Sequence, residues 1–356
     1  MEIPSRQQVI EEARERGERV AAVLPIHYPR ALLRAYGISP VEVWGPPGVA
    51  PAAGNAHFQA YTCAIVRHAT SLLLGPAARS VDLILIPHTC DALQGMGSVF
   101  KDFIKPEQPV VTLYHPRGRR ASDRAFMVRE LRRLAARLRE ITGREPTEAD
   151  LVAAIETEEE ATSLFAEVAG QRKAFALSDR ELYTLLRSRE YLPAERFIEL
   201  ARSVPRDGAP DGGVPLMMSG IVPEPMEIFD RINEMGARIV DDDLACCSRR
   251  IYRSTPKGDP FERLAAALLS MPPDPTVGSP IGERAAHIKA RMQAAGARGL
   301  LVYDVKFCEP ELFDLPLLRG ALDKAGLRLL HVEYEMGAAV AQQTITRIEA
   351  FVEMLQ

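Results

Sequence analysis

Apolar positions along the chain fall into two stretches of short runs, with a long stretch of helical spacing between them. Residues 21–25 (AAVLP) and 41–45 (VEVWG) predict short strands, and PRALLRAYG between them has helical spacing ended by Gly37. Residues 56–74 read as a helix that contains Cys63. VDLILIP (81–87) and PVVTLY (109–114) are continuous apolar runs, as expected of strands buried on both faces. In the middle, Met127, Leu131, Leu134, Leu138 and Ile141 form one apolar stripe. Thr147 with Asp150 starts a further helix, and helical patterns run to about Arg202. SVPRDGAPDGG (203–213) reads as a linker. The last third alternates strands at 214–219, 238–242, 299–305 and 328–333 with helices at 224–236, 259–270, 283–295, 311–325 and 341–355. Such alternation predicts parallel sheets with helices on both faces. The expected organisation is an α/β domain at 1–116, a helical segment at 117–208 and a second α/β domain at 209–356.

The 356 residues exceed what one compact core usually serves, which agrees with that division. With 47% hydrophobic and 26% charged residues, disordered and collagen-like classes are excluded. A net charge of −4 gives no global pull toward nucleic acid or an anionic membrane. No apolar run reaches the roughly 18–20 residues of a bilayer span, and the polar first residues lack a signal-peptide core. A cytoplasmic protein is expected.

Five cysteines, Cys63, Cys90, Cys246, Cys247 and Cys308, argue against a disulfide framework. Cys90 lies three residues past Pro87 and Cys308 three past Val305, while Cys246 and Cys247 follow the strand at 238–242. Four thiols thus fall beyond strand ends, where open parallel sheets place their chemistry. Cys63 is the exception. No Cys-x2-Cys pair suggests structural zinc. Iron–sulfur clusters accept thiolates from distant points of a chain. Three separated thiolates on two facing domains would hold a cubane in the cleft and leave one iron open to water or substrate, although spacing alone does not establish this.

Several segments together resemble the 2-hydroxyacyl-CoA dehydratase family, which includes the cluster-bearing subunits of benzoyl-CoA reductase. They are PRALLRAYGISPVEVWG (29–45), YTCAIVRHATSLLLG (61–75), DLILIPHTCDALQGM (82–96), EIFDRINEMGARIVDDDLACCSRR (227–250), the stretch 299–335 with its KFCEPE, and TITRIEAFVEML (344–355). The resemblance implies two Rossmann-like domains plus a helical part, with a 4Fe–4S cluster held by Cys63, Cys90 and Cys308. It also implies a homologous or identical second subunit, an acyl-CoA substrate, and a separate ATP-dependent iron–sulfur activator that supplies single electrons for radical chemistry. Cys246 is the candidate fourth ligand. A fully protein-ligated cluster would point to a non-catalytic electron-relay subunit. Many members carry a glutamate two residues after the early proline; that place is Ala31 here. A double-cubane-cluster reductase of a small non-CoA substrate would be expected to need six cysteines, against five.

His88, two residues before Cys90, is the candidate proton donor or cluster-sulfide partner. His27 is a lesser candidate. Asp241, Asp242 and Asp243 end a strand, where capping and solvation are the expected roles. Residues 117–144 hold ten arginines against Asp123, Glu130 and Glu140. Their apolar stripe and lack of interleaved aromatics favour a solvated helix face over a nucleic-acid surface. No G-x-x-x-x-G-K-[ST] is present, so this chain is not expected to hydrolyse ATP at a P-loop.

Overall fold

The computed structural model describes residues 2–44, 49–206, 208, 212–255 and 257–356. In chain order the first unit comprises α1 (Arg6–Glu15), β1 (Arg19–Val23), α2 (Arg30–Ala35), β2 (Ile38–Glu42), α3 (Ala52–Asn55), α4 (Ala64–Leu74), β3 (Leu83–His88), α5 (Asp91–Ser98) and β4 (Val110–Tyr114). Four helices follow: α6 (Ala121–Thr142), α7 (Glu148–Gly170), α8 (Asp179–Ser188) and α9 (Ala194–Arg202). The second unit comprises β5 (Val214–Gly220), α10 (Glu227–Glu234), β6 (Ala237–Leu244), α11 (Pro260–Leu269), α12 (Ile281–Ala295), β7 (Gly299–Val305), α13 (Glu309–Asp323), β8 (Arg328–Tyr334) and α14 (Gln342–Glu353).

The strands form two four-stranded sheets, ordered β2-β1-β3-β4 and β6-β5-β7-β8, and every pairing is parallel. Both units therefore have the same topology. In each, the chain reverses direction across the sheet between its first and third strands, where doubly wound folds open a crevice at the strands' carboxyl ends. Both faces of each sheet are covered. Leu83 and Leu85 face Leu32 and Leu131, while Ile84 and Ile86 face Val66 and Met96. In the second sheet Leu216 and Met218 meet Phe229 and Phe351, while Met217 and Leu300 meet Ile288 and Leu318. Two-sided burial is why these strands read as unbroken apolar runs. Leu264, Ala265 and Leu268 of α11 share a core with Met127 and Leu131 of α6, so the chain crosses back and ties the units together.

The helix beginning after Thr147 starts with the expected cap: the Thr147 hydroxyl accepts from the Asp150 N–H, and Asp150 reaches back to the Thr147 N–H. The helix expected over 56–74 is shorter, and Cys63, expected inside or at the end of a helix, is its N-cap. Arg67 explains the break. Its Nε donates to the Thr62 carbonyl at 2.9 Å and Nη1 to Asn55 at 3.0 Å, which folds the preceding chain back on the helix. Gly54 then lies so close that a Cβ there would sit 1.9 Å from the Arg67 carbonyl oxygen. The strand expected over 41–45 lies earlier, at Ile38–Glu42; Gly45 and the linker positions 207 and 209–211 lie outside the described residues.

Charge inside the fold is organised around arginines. Glu158 of α7 meets Arg34 at 3.1 Å and Arg30 at 3.5 Å, and it also contacts Arg189. Burial alone would raise its pKa, but Arg189, Arg30 and Arg34 outweigh it and bring the carboxyl down to about 2. The folded pKa lies below the unfolded one, so this contribution is present above about pH 4.5 and is lost as pH falls toward 2. Between those limits the wild-type protein should lose about 3 kcal/mol of unfolding free energy that a Glu158→Gln variant does not lose. Urea titrations of both proteins at pH 5 and pH 2 measure this. Equal acid sensitivity of the two would refute it.

Candidate functional site

Three cysteines share one structural position. Cys63 is the N-cap of α4, Cys90 of α5 and Cys308 of α13. The last two are equivalent in the duplicated topology, since each follows the third strand of its sheet and opens the next helix. The sequence signals for this are local. Asp91 follows Cys90, and Glu309 with Pro310 follows Cys308, placing acids and a proline in the first turn.

All three cysteines line one cavity of about 500 Å³ between the two units. Tyr61, Thr62, Asp91, Arg117, Thr276, Phe307 and Asp314 are among its other walls. A groove of about 520 Å³ lies at the amino ends of β1 and β2, but its ions pair among themselves, as in Arg34–Glu195 and Arg16–Glu18. The cysteine cavity is the one at the carboxyl ends, where ligands of such sheets bind.

Three helix N-termini directed at one cavity favour negative charge there, each by about 0.3–1 kcal/mol. The thiols respond to this setting. Cys63 is lowered by a hydrogen bond with Cys308 and then, against burial, by the backbone N–H groups of Ile65 and Val66 and the nearby Arg67. Cys308 is raised well above an ordinary thiol by the same contact with Cys63 and by burial. Of this pair, Cys63 is the more readily ionised and Cys308 the more firmly protonated. Burial pushes Cys90 up to about 12, although the N–H groups of Leu93 and Ala92 oppose it. A cation placed between them would reverse these upward shifts by ligating thiolates.

Among the described residues no three His, Cys, Asp or Glu side chains converge as a single metal ion requires. A multi-iron cluster spreads its ligands over separate irons and needs a wider ring of thiolates. Three thiols around a cavity of this size, backed by amide dipoles, fit a 4Fe–4S cluster better than zinc.

The other candidates lie elsewhere. Cys246 and Cys247 are fully buried in the core behind the second sheet, with their sulfurs 3.5 Å apart. They follow β6, the outermost strand, which is separated from β7 by β5. At about 4.8 Å per strand, that puts their loop roughly 10 Å to one side of the one bearing Cys308. Cys246 is not among the cavity walls. His88 is not among them either. Its ring packs edge-on against Tyr114, with centroids 4.6 Å apart, and beneath Gly97, where a Cβ would lie 2.5 Å from Nε2. Burial first, then Lys101 and Arg133, lower its pKa.

The three aspartates are not solvated, contrary to expectation. Asp241 pairs with Arg291, Asp242 with Arg172, and Asp243 with Arg249 at 2.9 Å. Asp242 does cap its turn, accepting from the N–H groups of Leu244 and Ser248 at 3.1 Å. Arg67, Arg117 and Thr276 carry no strong signal in the sequence. Only the Asp-Pro-Thr run at 274–276, a cap followed by proline, hints at one of them. The arginines of 117–144 mostly face solvent and pair with nearby acids, such as Arg133–Glu130 and Arg132–Asp259. No helix of the described residues is long and apolar enough to cross a membrane.

The family described as 2-hydroxyglutaryl-CoA dehydratase, D-component, matches residues 25–355, a span that contains all five cysteines. The chain is 26% identical to the beta subunit of lactoyl-CoA dehydratase from Anaerotignum propionicum, over 96% of this chain and 93% of that protein. It is likewise 26% identical to the beta subunit of (R)-2-hydroxyglutaryl-CoA dehydratase from Acidaminococcus fermentans, over 95% and 93%. A subunit of benzoyl-CoA reductase from Thauera aromatica is 24% identical over 95% and 91%.

Proposed function

This chain belongs to the 2-hydroxyglutaryl-CoA dehydratase D-component family, and on that premise we propose that it is the iron–sulfur subunit of an enzyme acting on an acyl-CoA. The reaction is dehydration of a 2-hydroxyacyl-CoA or a reduction of the benzoyl-CoA type. The observation that carries the iron–sulfur reading is the meeting of three cysteine N-caps around one cavity. Cys63, Cys90 and Cys308 would hold a 4Fe–4S cluster, which supplies one-electron reducing power when bound. The remaining residues do the binding and the electrostatics. The N-terminal amides of α4 and α5 and the Arg67 guanidinium stabilise thiolate charge. The walls from Tyr61, Phe307 and Phe313 present an apolar surface to an acyl group.

The cavity offers three thiols, so one iron of such a cluster would lack a protein thiolate and would be open to substrate. This favours a catalytic role over a pure electron relay. The relatives are each named as one subunit of a larger enzyme, so a homologous or identical second subunit is part of the proposal. Electrons would come from a separate ATP-dependent iron–sulfur activator.

Iron and acid-labile sulfide measured on protein purified without oxygen test this directly. About four irons and four sulfides per chain are expected of one cubane. Iron-free protein under those conditions would end the iron–sulfur reading.

A further inference from the structure

Thr276 lines the cysteine cavity from the short turn Pro275–Val277, which packs against α13. Its hydroxyl donates to Asp274 Oδ1 at 2.7 Å, and its backbone N–H donates to the same oxygen at 2.7 Å. To this point the contacts are those of a turn cap. The carboxylate, however, is held from its other sides as well. His27 Nε2 lies 3.1 Å from Asp274 Oδ2, and His27 Nδ1 lies 3.0 Å from the Tyr252 hydroxyl. Arg249 Nη1 stands 3.7 Å from Asp274 Oδ1. Asp274 and His27 are both buried. Burial would raise the Asp274 pKa, but Arg249 and His27 hold it far below the usual carboxylate range. His27 reaches this position through two consecutive left-handed residues, Ile26 (φ 65°) and His27 (φ 56°), at the carboxyl end of β1. A β-branched residue adopts that conformation only where its surroundings enforce it. The strain sits at the reversal point of the first sheet, on the ligand side.

An ionised carboxylate only accepts hydrogen bonds. The Thr276 proton is thus committed to Asp274, and the Thr276 oxygen is left as an acceptor for anything in the cavity. We propose that Thr276 is a specificity-determining residue, which accepts a hydrogen bond from a hydroxyl carried on the acyl chain of an acyl-CoA. The inference rests on the acyl-CoA reading above. It favours a hydroxylated substrate over benzoyl-CoA, whose ring has no hydroxyl to donate. Asp274 and His27 are positioning residues that keep the threonine oxygen an acceptor. A site built to receive a substrate hydroxyl discriminates strongly against the analogue that lacks it.

Lactoyl-CoA and propionyl-CoA differ only in the 2-hydroxyl and serve as probes. Titration calorimetry on oxygen-free protein, together with its second subunit where the two co-purify, reads their affinities without turnover. Wild-type protein should bind lactoyl-CoA more tightly than propionyl-CoA. Thr276→Val should weaken lactoyl-CoA by about tenfold and leave propionyl-CoA within about twofold, because one hydrogen bond is removed at nearly constant shape. Thr276→Ser should restore the preference, which guards against a general packing defect in the valine variant. Equal weakening of both thioesters, or unchanged lactoyl-CoA binding in folded Thr276→Val, overturns the inference and leaves the acyl-CoA reading intact. Failure of wild-type protein to bind either thioester overturns both.

Discussion

Replacing Cys90 by alanine should reduce iron from about four per chain to near zero in protein prepared without oxygen, as one missing thiolate in three leaves a cubane poorly held. Cys63→Ala and Cys308→Ala should do the same, while Cys246→Ala and Cys247→Ala keep their iron. Position separates the two groups. The first three thiols sit on helix N-caps at one cavity, where amide dipoles support thiolate charge. Cys246 and Cys247 are buried against each other in the core, where burial and the hydrogen bond with Cys246 push the Cys247 thiol well above its ordinary range. Their loss should lower thermal stability by opening a small void, without touching the site. Helical circular dichroism separates the two effects, because the N-cap variants lose iron while remaining folded. Iron retained in folded Cys90→Ala, or lost from folded Cys246→Ala, would sink the three-thiol site.

Glu42→Ala should destabilise the protein by about 3–5 kcal/mol, because it strands buried arginine charge. Glu42 ends β2 of the first unit and is 2% exposed. It accepts from the Tyr28 hydroxyl at 2.8 Å, Arg30 at 3.1 Å, Trp44 Nε1 at 3.0 Å and Arg250 Nη1 at 3.0 Å. Arg250 is 208 residues away in sequence and belongs to the second unit. Removing the carboxylate leaves Arg250 and Arg30 facing each other with burial uncompensated. A fall of roughly 10 °C in melting temperature is expected for a domain-sized unit losing that much. The pair Glu42→Leu with Arg250→Met should recover much of the loss, since an apolar replacement of a buried ion pair is often close to neutral. A single Glu42→Ala change costing under about 1 kcal/mol would mean the pair is solvated in solution. The consequence reaches the site. Cys63 and Cys90 belong to one unit and Cys308 to the other, so this tie helps set the distance between them.

Much of the architecture was legible in the chain. The runs at 81–87 and 299–305 became β3 and β7, and the stripe Met127–Ile141 became the buried face of α6. Thr147 and Asp150 form the expected capping box. These successes have one cause, since burial on two faces or one stripe is written in the spacing of a single segment. The misreadings share the opposite cause. The helix expected from residue 56 begins only after Cys63, because Arg67 folds the preceding chain back through contacts with Thr62 and Asn55. The solvated role expected of Asp241, Asp242 and Asp243 failed because their partners, Arg291, Arg172 and Arg249, come from three separate elements. No local spacing records which arginine will be brought to which carboxylate.

The sequence by itself determined the two α/β units, their helical intermediate and the family, because periodicity and motif residues are properties of contiguous segments. It also placed Cys90 and Cys308 beyond strand ends. The resemblance grouped Cys63 with them, and only the tertiary structure decided that all three line one cavity, that Cys246 and Cys247 lie in the core, that His88 turns toward Tyr114, and that Thr276 lines the cavity with its proton given to Asp274. The shared cavity and the place of Thr276 depend on how the two units meet, through contacts such as Glu42–Arg250 between residues far apart in the chain.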